Sequence, residues 1–345
     1  MLPTLTEAPM KIVGNVGPFA LALLGFSLSI WLIIPGPVLI LFILSVAGTE
    51  LWPVLTLIDT VAVIVALRSH SQFRVVSRIL AVIALCCSLA PPVAYALHGP
   101  YVPMSAFVMP LFQRMSVVPP DAPVVLAIYG GAWERGSPSN DAVFNATIAS
   151  WGYRVIPLDY PHAPQFHWPA QRDAILRQID AVHAKRIALI GHSSGAQLAM
   201  IAAALRARKI NAVVTFASPV DLRLGYEYPT KPDVIHAKKI ISGLCGGTPT
   251  QEPACYRSAS PRYVVHAGMP PVLMIAGGRD HVVDVRDERF LRDELRADGV
   301  KVSYIELAWA DHSFETIPYG FHDLIALWYL KRFLHDNLSQ TAPFP

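Results

Sequence analysis

The sequence predicts an α/β protein with a mostly parallel, doubly wound sheet, preceded by an all-α transmembrane region. Two features of the chain indicate this. From about residue 121 onward, short β-like runs alternate with helical segments of about 10–15 residues, a pattern typical of parallel βαβ units. Before residue 99 the chain is almost wholly apolar. Only 15% of all 345 residues are charged, against about 25% in an ordinary soluble domain.

The N-terminal region, residues 1–98, contains three apolar runs, at 16–46, 51–67 and 79–97. A helix needs about 17–25 apolar residues to cross a bilayer, so we expect about three transmembrane helices. The first run is long and should tilt, kink or turn at Pro35-Gly36-Pro37. A cleaved signal peptide is the alternative, but its apolar core would cover about 7–15 residues and no further runs would follow.

Two acidic residues, Glu50 and Asp59, lie near or within these apolar runs. Charged groups inside a membrane are costly and are often functional. In the alternative interpretation, Glu50 lies in the loop after the first span and Asp59 faces a neighbouring helix.

The rest of the chain divides by composition. Residues 99–120 contain several prolines and few charges, which is typical of a linker. Residues 121–336 carry the α/β pattern, and residues 337–345 form a C-terminal tail. Between about 218 and 269 the alternation lapses, which predicts a small cap inserted over the ends of the strands.

The strongest chemical signal follows the predicted strand at 187–190. The chain continues as Gly191-His192-Ser193-Ser194-Gly195 and then as an Ala- and Leu-rich helix. A serine held on a sharp strand-to-helix turn needs small neighbours two positions before and after it, and G-x-S-x-G supplies them. We therefore expect Ser193 to be a nucleophile, the alternative being a plain turn serine.

A serine nucleophile needs a base, and a histidine base is oriented by a carboxylate. Partners should come from loops at the carboxyl ends of later strands. Asp280 follows the predicted strand at 271–276, and His312 follows that at 301–307. The order Ser193, Asp280, His312 is nucleophile, acid, base.

Other residues compete for these roles. Asp284 lies one helical turn after Asp280 and could instead begin the next helix. His281 and His322 are less well placed rivals of His312, and we interpret Asp173 and Asp311 as helix-start and turn residues.

The reaction also needs backbone N–H donors for the oxyanion. Ser194, directly after the nucleophile, should supply one. Gly130 and Gly131, after the first predicted strand, should supply the other, because glycine lets the backbone approach a substrate closely.

Five motifs stand in order along the chain: YGGAW (129–133), LDYPHAP with WPAQRDA (158–174), GHSSGAQLA (191–199), GGRDHVVDV (277–285) and ADHSF (310–314). They resemble those of carboxylesterases in the α/β-hydrolase superfamily, namely the hormone-sensitive-lipase-like enzymes and the bacterial feruloyl and acetyl-xylan esterases. The resemblance covers about residues 112–336 and implies an α/β-hydrolase fold with a small cap insertion. Tyr129 stands where these families usually have histidine. Trp133 and His162 are candidates to line the acyl or alcohol site, although packing explains them equally well.

The sequence therefore predicts a membrane-anchored serine hydrolase that cleaves a small-molecule carboxylic ester without metal or organic cofactor. An acyltransferase that uses the same acyl-enzyme, or a non-catalytic binding module, are the alternatives. The net charge of +3 shows no basic patch, which argues against nucleic acid binding, and no Cys/His metal spacing is present. Nothing indicates an oligomeric state.

Charge around the last apolar run predicts its orientation. Arg68, Arg74 and Arg78 precede this run, and no Lys or Arg follows it until Arg114. Positive charges tend to remain cytoplasmic, so the catalytic domain should lie on the outer, periplasmic or extracellular, face. Cys245 and Cys255 in the predicted cap could close a disulfide there, the alternative being a buried reduced pair.

Overall fold

The computed structural model describes residues 7–108 and 118–338, with side chains from Val16 onward in the first range. The chain forms two compact units, Met1–Gly99 and Pro100–Pro345.

The described part of the first unit consists of helices. They are α1 (Glu7–Ser29), α2 (Leu39–Glu50), α3 (Trp52–Arg68), α4 (Arg74–Ser88) and α5 (Ala90–His98), with a short 3₁₀ helix after α1. The helical path breaks between α1 and α2 at the predicted Pro35-Gly36-Pro37 segment. Large apolar side chains lie on the outside of this unit, and Leu57 and Leu97 are 66% and 68% exposed. Such an exposed apolar surface is typical of helices that face lipid.

Few of these helices are long and apolar enough to cross a membrane alone. The continuous run Arg74–His98, 25 residues formed by α4 and α5, qualifies. A second span exists if α2 and α3, which meet at 87°, count as one broken helix, whereas Val16–Leu32 is shorter. Length and composition of the described residues thus support one or two spans, and the count of three stays a prediction.

Two acidic residues of this unit, Glu50 and Asp59, are buried. Asp59 is fully buried and accepts a hydrogen bond from Ser29 Oγ at 2.7 Å. Asp59 therefore faces a neighbouring helix, as the alternative interpretation of the sequence expects. Glu50 is also buried, but it is the last residue of α2 and does not lie in a loop.

The described part of the second unit is built on six parallel strands. They are β1 (Val124–Ile128), β2 (Arg154–Leu158), β3 (Ile187–His192), β4 (Ala212–Phe216), β5 (Val272–Gly277) and β6 (Val302–Leu307), in the order β2-β1-β3-β4-β5-β6. The predicted doubly wound sheet is confirmed. The strand order reverses at β1, so the loops after β1 and β3 meet at the topological switch point where such folds bind ligands.

Helices connect these strands and cover the sheet. They are α7 (Ala142–Ser150), α8 (Ala170–Ala181), α9 (Ser194–Leu205), α13 (Val285–Ala297) and α14 (Phe321–Leu338). Every residue of α9 from Ser194 to Ala204 is buried. This burial explains why α9 is rich in alanine and leucine, since it packs on the sheet while remaining close to neighbouring helices.

The boundaries differ from the predicted ones in detail. A four-residue helix, α6 (Ser105–Val108), lies within the predicted linker, and α14 continues two residues into the predicted tail. The remainder of the predicted tail, and residues 109–117 of the predicted linker, lie outside the described residues.

The predicted cap at 218–269 has regular structure that its sequence pattern did not indicate. It contains α10 (Leu222–Glu227), α11 (Ala237–Cys245), α12 (Pro253–Ser258) and a 3₁₀ helix at Pro261–Tyr263. Helices of six to nine residues span only about two turns, too short to show a clear hydrophobic period. Cys245 and Cys255 form a disulfide that joins the end of α11 to α12.

Candidate active site

The G-x-S-x-G segment forms a sharp turn between β3 and α9. Ser193 has φ 52° and ψ −119°, a conformation that few non-glycine residues adopt. Its N–H donates to Phe216 O at 2.8 Å, which ties the turn to β4. A Cβ at Gly195 would collide with the carbonyl oxygens of Ile128 and Tyr129, and a Cβ at Gly191 would collide with Gly195 O. Both glycines are therefore required for α9 to start directly behind Ser193.

Ser193, His312 and Asp280 form a continuous hydrogen-bonded row. His312 Nε2 lies 2.9 Å from Ser193 Oγ, and His312 Nδ1 lies 2.7 Å from Asp280 Oδ2. A carboxylate only accepts, so Nδ1 carries the proton that faces Asp280 and Nε2 presents a lone pair to the serine hydroxyl. Asp280 and His312 come from the loops after β5 and β6, as predicted.

Asp280 is held in place by backbone donors. Its Oδ1 accepts from the N–H groups of Val282 and Val283, both at 2.7 Å, while its Oδ2 faces His312. Asp284, its rival, instead accepts from Arg286 N as the N-cap of α13 and pairs with the Arg286 guanidinium. Of the two acids, only Asp280 contacts the imidazole of His312.

Two opposing effects act on the pKa of His312. Burial, the largest effect, lowers it, because a charged imidazolium is poorly solvated inside the protein. The attraction and hydrogen bond of Asp280, with further attraction from Glu315 and Asp311, outweigh burial and raise the pKa above its ordinary value. A base with a raised pKa holds a proton more firmly during proton transfer.

A second buried pair lies directly behind the serine turn. His192 Nδ1 is 3.1 Å from Glu315 Oε1, and both side chains are almost fully buried. His192 also stacks on Phe216 with ring centroids 4.8 Å apart. Burial raises the pKa of Glu315, but its hydrogen bond and attraction to His192 lower it more. No local sequence pattern indicates this pair, which joins the serine turn to the loop that carries His312.

The loop after β1 packs against the serine turn. A Cβ at Gly130 would lie 2.9 Å from His192 O, so this close approach needs glycine. Gly131, Ala132 and Trp133 have φ values of 141°, 55° and 60°. Ala132, Trp133 and Ser194 line one cavity together with Ser193. The structure thus brings the predicted oxyanion segment beside the serine, with Ala132 and Trp133 reaching the cavity wall.

Tyr129, at the position where the resembling families have histidine, points away from the cavity into a polar cluster. Its hydroxyl donates to Asp159 Oδ1 at 2.6 Å and lies 3.0 Å from His162 Nε2. Its ring stacks on Tyr160 at 4.5 Å. Burial, with the hydrogen bond to Asp159, raises its pKa, so the phenol stays neutral. His162 therefore contacts Tyr129 rather than lining the cavity.

Tyr160 connects the two segments beside Ser193. Its hydroxyl donates to Tyr129 O at 3.2 Å and lies 3.3 Å from Ser194 Oγ. Trp133 is held similarly, since its Nε1 donates to Gln197 Oε1 at 3.1 Å on α9. These bonds hold the loop after β1 in a fixed position over α9.

The cavity next to Ser193 is lined in large part by the cap and is mostly apolar. The cap contributes several large aliphatic side chains to its wall, and they are Val220, Leu222, Ile235, Ile240 and Ile241. Val282 and Val283 of the Asp280 loop add to this surface. Carboxylates of Asp221, Asp284 and Asp287 also border it. The sequence pattern gave no signal for the cap residues of this wall, because the cap has no readable periodicity.

Among residues 7–108 and 118–338, no cluster of three or more His, Cys, Asp or Glu side chains could hold a metal ion.

Comparison with known proteins agrees with this architecture. The family model BD-FAE matches residues 115–295, more than half of the chain, including Ser193 and Asp280. Esterase LipC of Mycobacterium tuberculosis is 28% identical over 238 residues, which cover 61% of this chain and 58% of that protein. The probable carboxylic ester hydrolase LipM of the same organism is 26% identical over 222 residues, which cover 57% of this chain and 50% of that protein. The chain thus spans about half the length of the curated relatives that it matches.

Solved structures of esterases share this fold. An esterase from the bacterial hormone-sensitive lipase family aligns with a TM-score of 0.54 and 25% identity, over 64% of this chain and 80% of that one. A hormone-sensitive lipase from a metagenome library aligns with a TM-score of 0.55 at 22% identity, with the same coverage, and so shares the fold. From the family match, the parallel sheet and the serine turn together, the chain belongs to the BD-FAE family, and its second unit is an α/β-hydrolase domain.

Proposed function

We propose that this protein is a membrane-anchored serine hydrolase that cleaves small carboxylic esters through an acyl-enzyme intermediate. The observation that carries the proposal is the row of Ser193, His312 and Asp280, which ends at an apolar cavity lined by Ser193 itself. The names of the related esterases support an ester as the substrate class.

In the first half of the reaction, Ser193 Oγ attacks the acyl carbon while its proton passes to Nε2 of His312. Asp280 stabilises the imidazolium that results. The negative charge on the former carbonyl oxygen is stabilised by the N–H groups of Ser194, Gly130 and Gly131. When the tetrahedral intermediate collapses, His312 returns the proton to the leaving alcohol, and the acyl group stays on Ser193.

In the second half, water attacks the acyl carbon and His312 accepts a proton from it. The new tetrahedral intermediate collapses, the proton returns to Ser193 Oγ, and a carboxylic acid leaves. All atoms are accounted for by ester and water, so the scheme needs no cofactor.

The apolar cavity wall favours an aliphatic or aromatic group on the substrate, because burial of such a group contributes about 25 cal/mol per Å². A series of p-nitrophenyl esters of increasing acyl length tests this with the purified full chain in detergent. Ser193→Ala should reduce kcat by about 10⁶-fold. Ser139→Ala, at an exposed serine, is the matched control and should behave as the wild type. Full activity in Ser193→Ala would refute the proposal.

Membrane anchoring and orientation are part of the same proposal. The run Arg74–His98 supplies a span, and Arg68, Arg74 and Arg78 at its start favour the cytoplasmic side for that end. The catalytic domain then lies on the outer face. The Cys245–Cys255 disulfide supports this side, because such bonds persist in oxidising compartments.

Fusions of alkaline phosphatase and green fluorescent protein to the C-terminus test the orientation. We expect active phosphatase, a dark fluorescent protein, and thiols at Cys245 and Cys255 that react only after reduction. A fluorescent fusion with both cysteines freely reactive would place the active site in the cytoplasm and contradict the proposal.

Hydrolysis and acyl transfer differ only in the acceptor of the second half-reaction. Product analysis with and without an added alcohol distinguishes them, and we expect the free acid to dominate in both cases.

A further inference from the structure

The loops after β5 and β6 each carry the dipeptide Asp-His, and the two dipeptides pair crosswise. They are Asp280-His281 and Asp311-His312. Asp280 Oδ2 contacts His312 Nδ1 at 2.7 Å, and Asp311 Oδ2 accepts from His281 Nδ1 at 2.6 Å. One pair faces Ser193. The other contributes to no step of the proposed reaction.

We propose that the His281–Asp311 pair is a positioning clamp that fixes the distance between Asp280 and His312 and so keeps the imidazole aligned with Ser193. This inference rests on the proposed hydrolase function. It concerns residues that touch neither the ester nor the reacting atoms.

The carboxylate of Asp311 makes more bonds than a turn residue needs. Its Oδ1 accepts from His312 N at 2.7 Å and from His281 N at 3.0 Å, while its Oδ2 accepts from the His281 ring. One buried carboxylate therefore fixes the backbone of the base and the backbone next to the orienting acid at the same time. Asp311 is only 2% exposed, so these bonds are shielded from water.

The clamp stands where the backbone connection between the two loops ends. Strands β5 and β6 pair as far as Gly277 and Leu307. Beyond them, Gly278 N donates to Leu307 O and Arg279 N to Ala310 O, both at 2.9 Å. From Asp280 onward, the bonds between the loops involve side chains. Without the His281–Asp311 pair, the Asp280–His312 bond would lose the neighbouring link that holds the two loops together beyond these backbone bonds.

The two pairs differ in their surroundings, which separates their roles. Asp280 is fully buried and His312 nearly so, at the base of the row that ends at Ser193. The His281 side chain is 17% exposed and borders a second cavity together with Asp280, Lys231 and Arg286, but it is not among the residues that line the cavity beside Ser193. His281 is thus on the outer side of the loops, where it can support Asp311 without contact with an ester bound at Ser193.

The test compares Asp311→Ala, Asp311→Asn and His281→Ala with wild type, in full-length protein and with p-nitrophenyl butyrate. Asp311→Ala removes all three acceptor bonds. A misplacement of about 1 Å at an active site costs about 10²-fold in rate, so we expect kcat to fall by about that factor with KM within twofold of wild type. Asp311→Asn keeps an acceptor for both backbone N–H groups and an amide for the His281 ring. It should restore kcat to within about tenfold of wild type.

A double-mutant comparison measures whether the two residues act as a unit. His281→Ala should lower kcat by about tenfold, and the double variant Asp311→Ala/His281→Ala should be no slower than Asp311→Ala alone. Asp293→Ala, which removes an exposed acid from α13, is the control and should leave both constants unchanged. Wild-type kcat in both single alanine variants would overturn the clamp and leave the hydrolase function intact.

A purely structural role has a different signature. It would lower the melting temperature and the fraction of active protein, while kcat per active site, counted by fluorophosphonate titration, stayed at the wild-type value. That result also overturns the proposal. If Asp311→Ala does not fold, the kcat values of His281→Ala and Asp311→Asn test the clamp instead. Both variants keep a side-chain oxygen at position 311 that can accept from the backbone N–H groups of His281 and His312. An inactive wild type would instead refute the proposed function.

Discussion

Replacing Asp280 by asparagine changes the proton pattern of the active site without changing its shape. Asp280 Oδ1 accepts from two backbone N–H groups, which an amide nitrogen cannot do, so the amide oxygen of the substituted side chain must keep that position. The amide NH₂ then faces His312 Nδ1, where Asp280 Oδ2 was 2.7 Å away. His312 is forced to accept at Nδ1 and to carry its proton on Nε2, towards Ser193.

The wrong tautomer leaves no lone pair for the serine proton. In a serine triad this costs about 10⁴-fold in kcat, or about 5 kcal/mol of transition-state stabilisation. The pH dependence should change as well. Burial lowers the pKa of His312 and Asp280 is the first of the groups that raise it, so without this carboxylate the pKa falls. The acidic limb of the kcat/KM profile should therefore move to lower pH.

The assay is p-nitrophenyl butyrate hydrolysis between about pH 5 and 9, with a melting curve for each variant. Asp284→Asn is the matched control, because Asp284 caps α13 and does not contact His312. It should keep kcat within about threefold of wild type. A loss of less than tenfold in Asp280→Asn, or equal losses in both variants, would refute the assignment of the orienting acid.

Three further predictions concern stability. Gly195→Ala should give little folded protein, because the added Cβ would collide with backbone oxygens at the end of β1. Soluble yield and circular dichroism measure this, and a wild-type yield would contradict it. Cys245→Ala/Cys255→Ala should lose about 2–4 kcal/mol of unfolding free energy and become insensitive to reductant in a melting assay, and an unchanged melting temperature would contradict it. Burial, then Asp284 and Asp221, raise the pKa of Asp287 to about 6. The folded state thus favours its neutral form, and stability falls as pH rises from about 4 to 6. Asp287→Asn should stabilise the folded state by about 1 kcal/mol at pH 7 after solvent screening, which raises the melting temperature by about 2–4 °C. At pH 4 the substitution should leave the melting temperature unchanged, and equal shifts at both pH values would contradict this.

The sheet and the main site residues could be predicted because each depends on a short, local stretch of sequence. Buried parallel strands appear as apolar runs such as 187–190, and the serine turn needs glycine at 191 and 195 for steric reasons that any sequence must satisfy. Asp280 and His312 could be placed because each follows a strand directly, and parallel strands bring their carboxyl ends to one edge.

Other features depend on contacts between distant residues, which no local pattern reveals. His192 and Glu315 are 123 positions apart, and the sequence gives no sign that they pair. Asp311 looked like a turn residue because only the fold brings His281 to it, from 30 positions away. The cap helices are too short for a period, and the number of spans cannot be read from apolar length alone because the helices break and bend.

The central claim is that Ser193 attacks an acyl carbon, and covalent labelling tests it most directly. The full chain is treated with a fluorophosphonate, which phosphonylates activated serines, and the adduct is located by peptide mass spectrometry. We expect one adduct per chain, on Ser193, and none in Ser193→Ala. An adduct on Ser194, or an unlabelled wild type that is folded, would contradict the account.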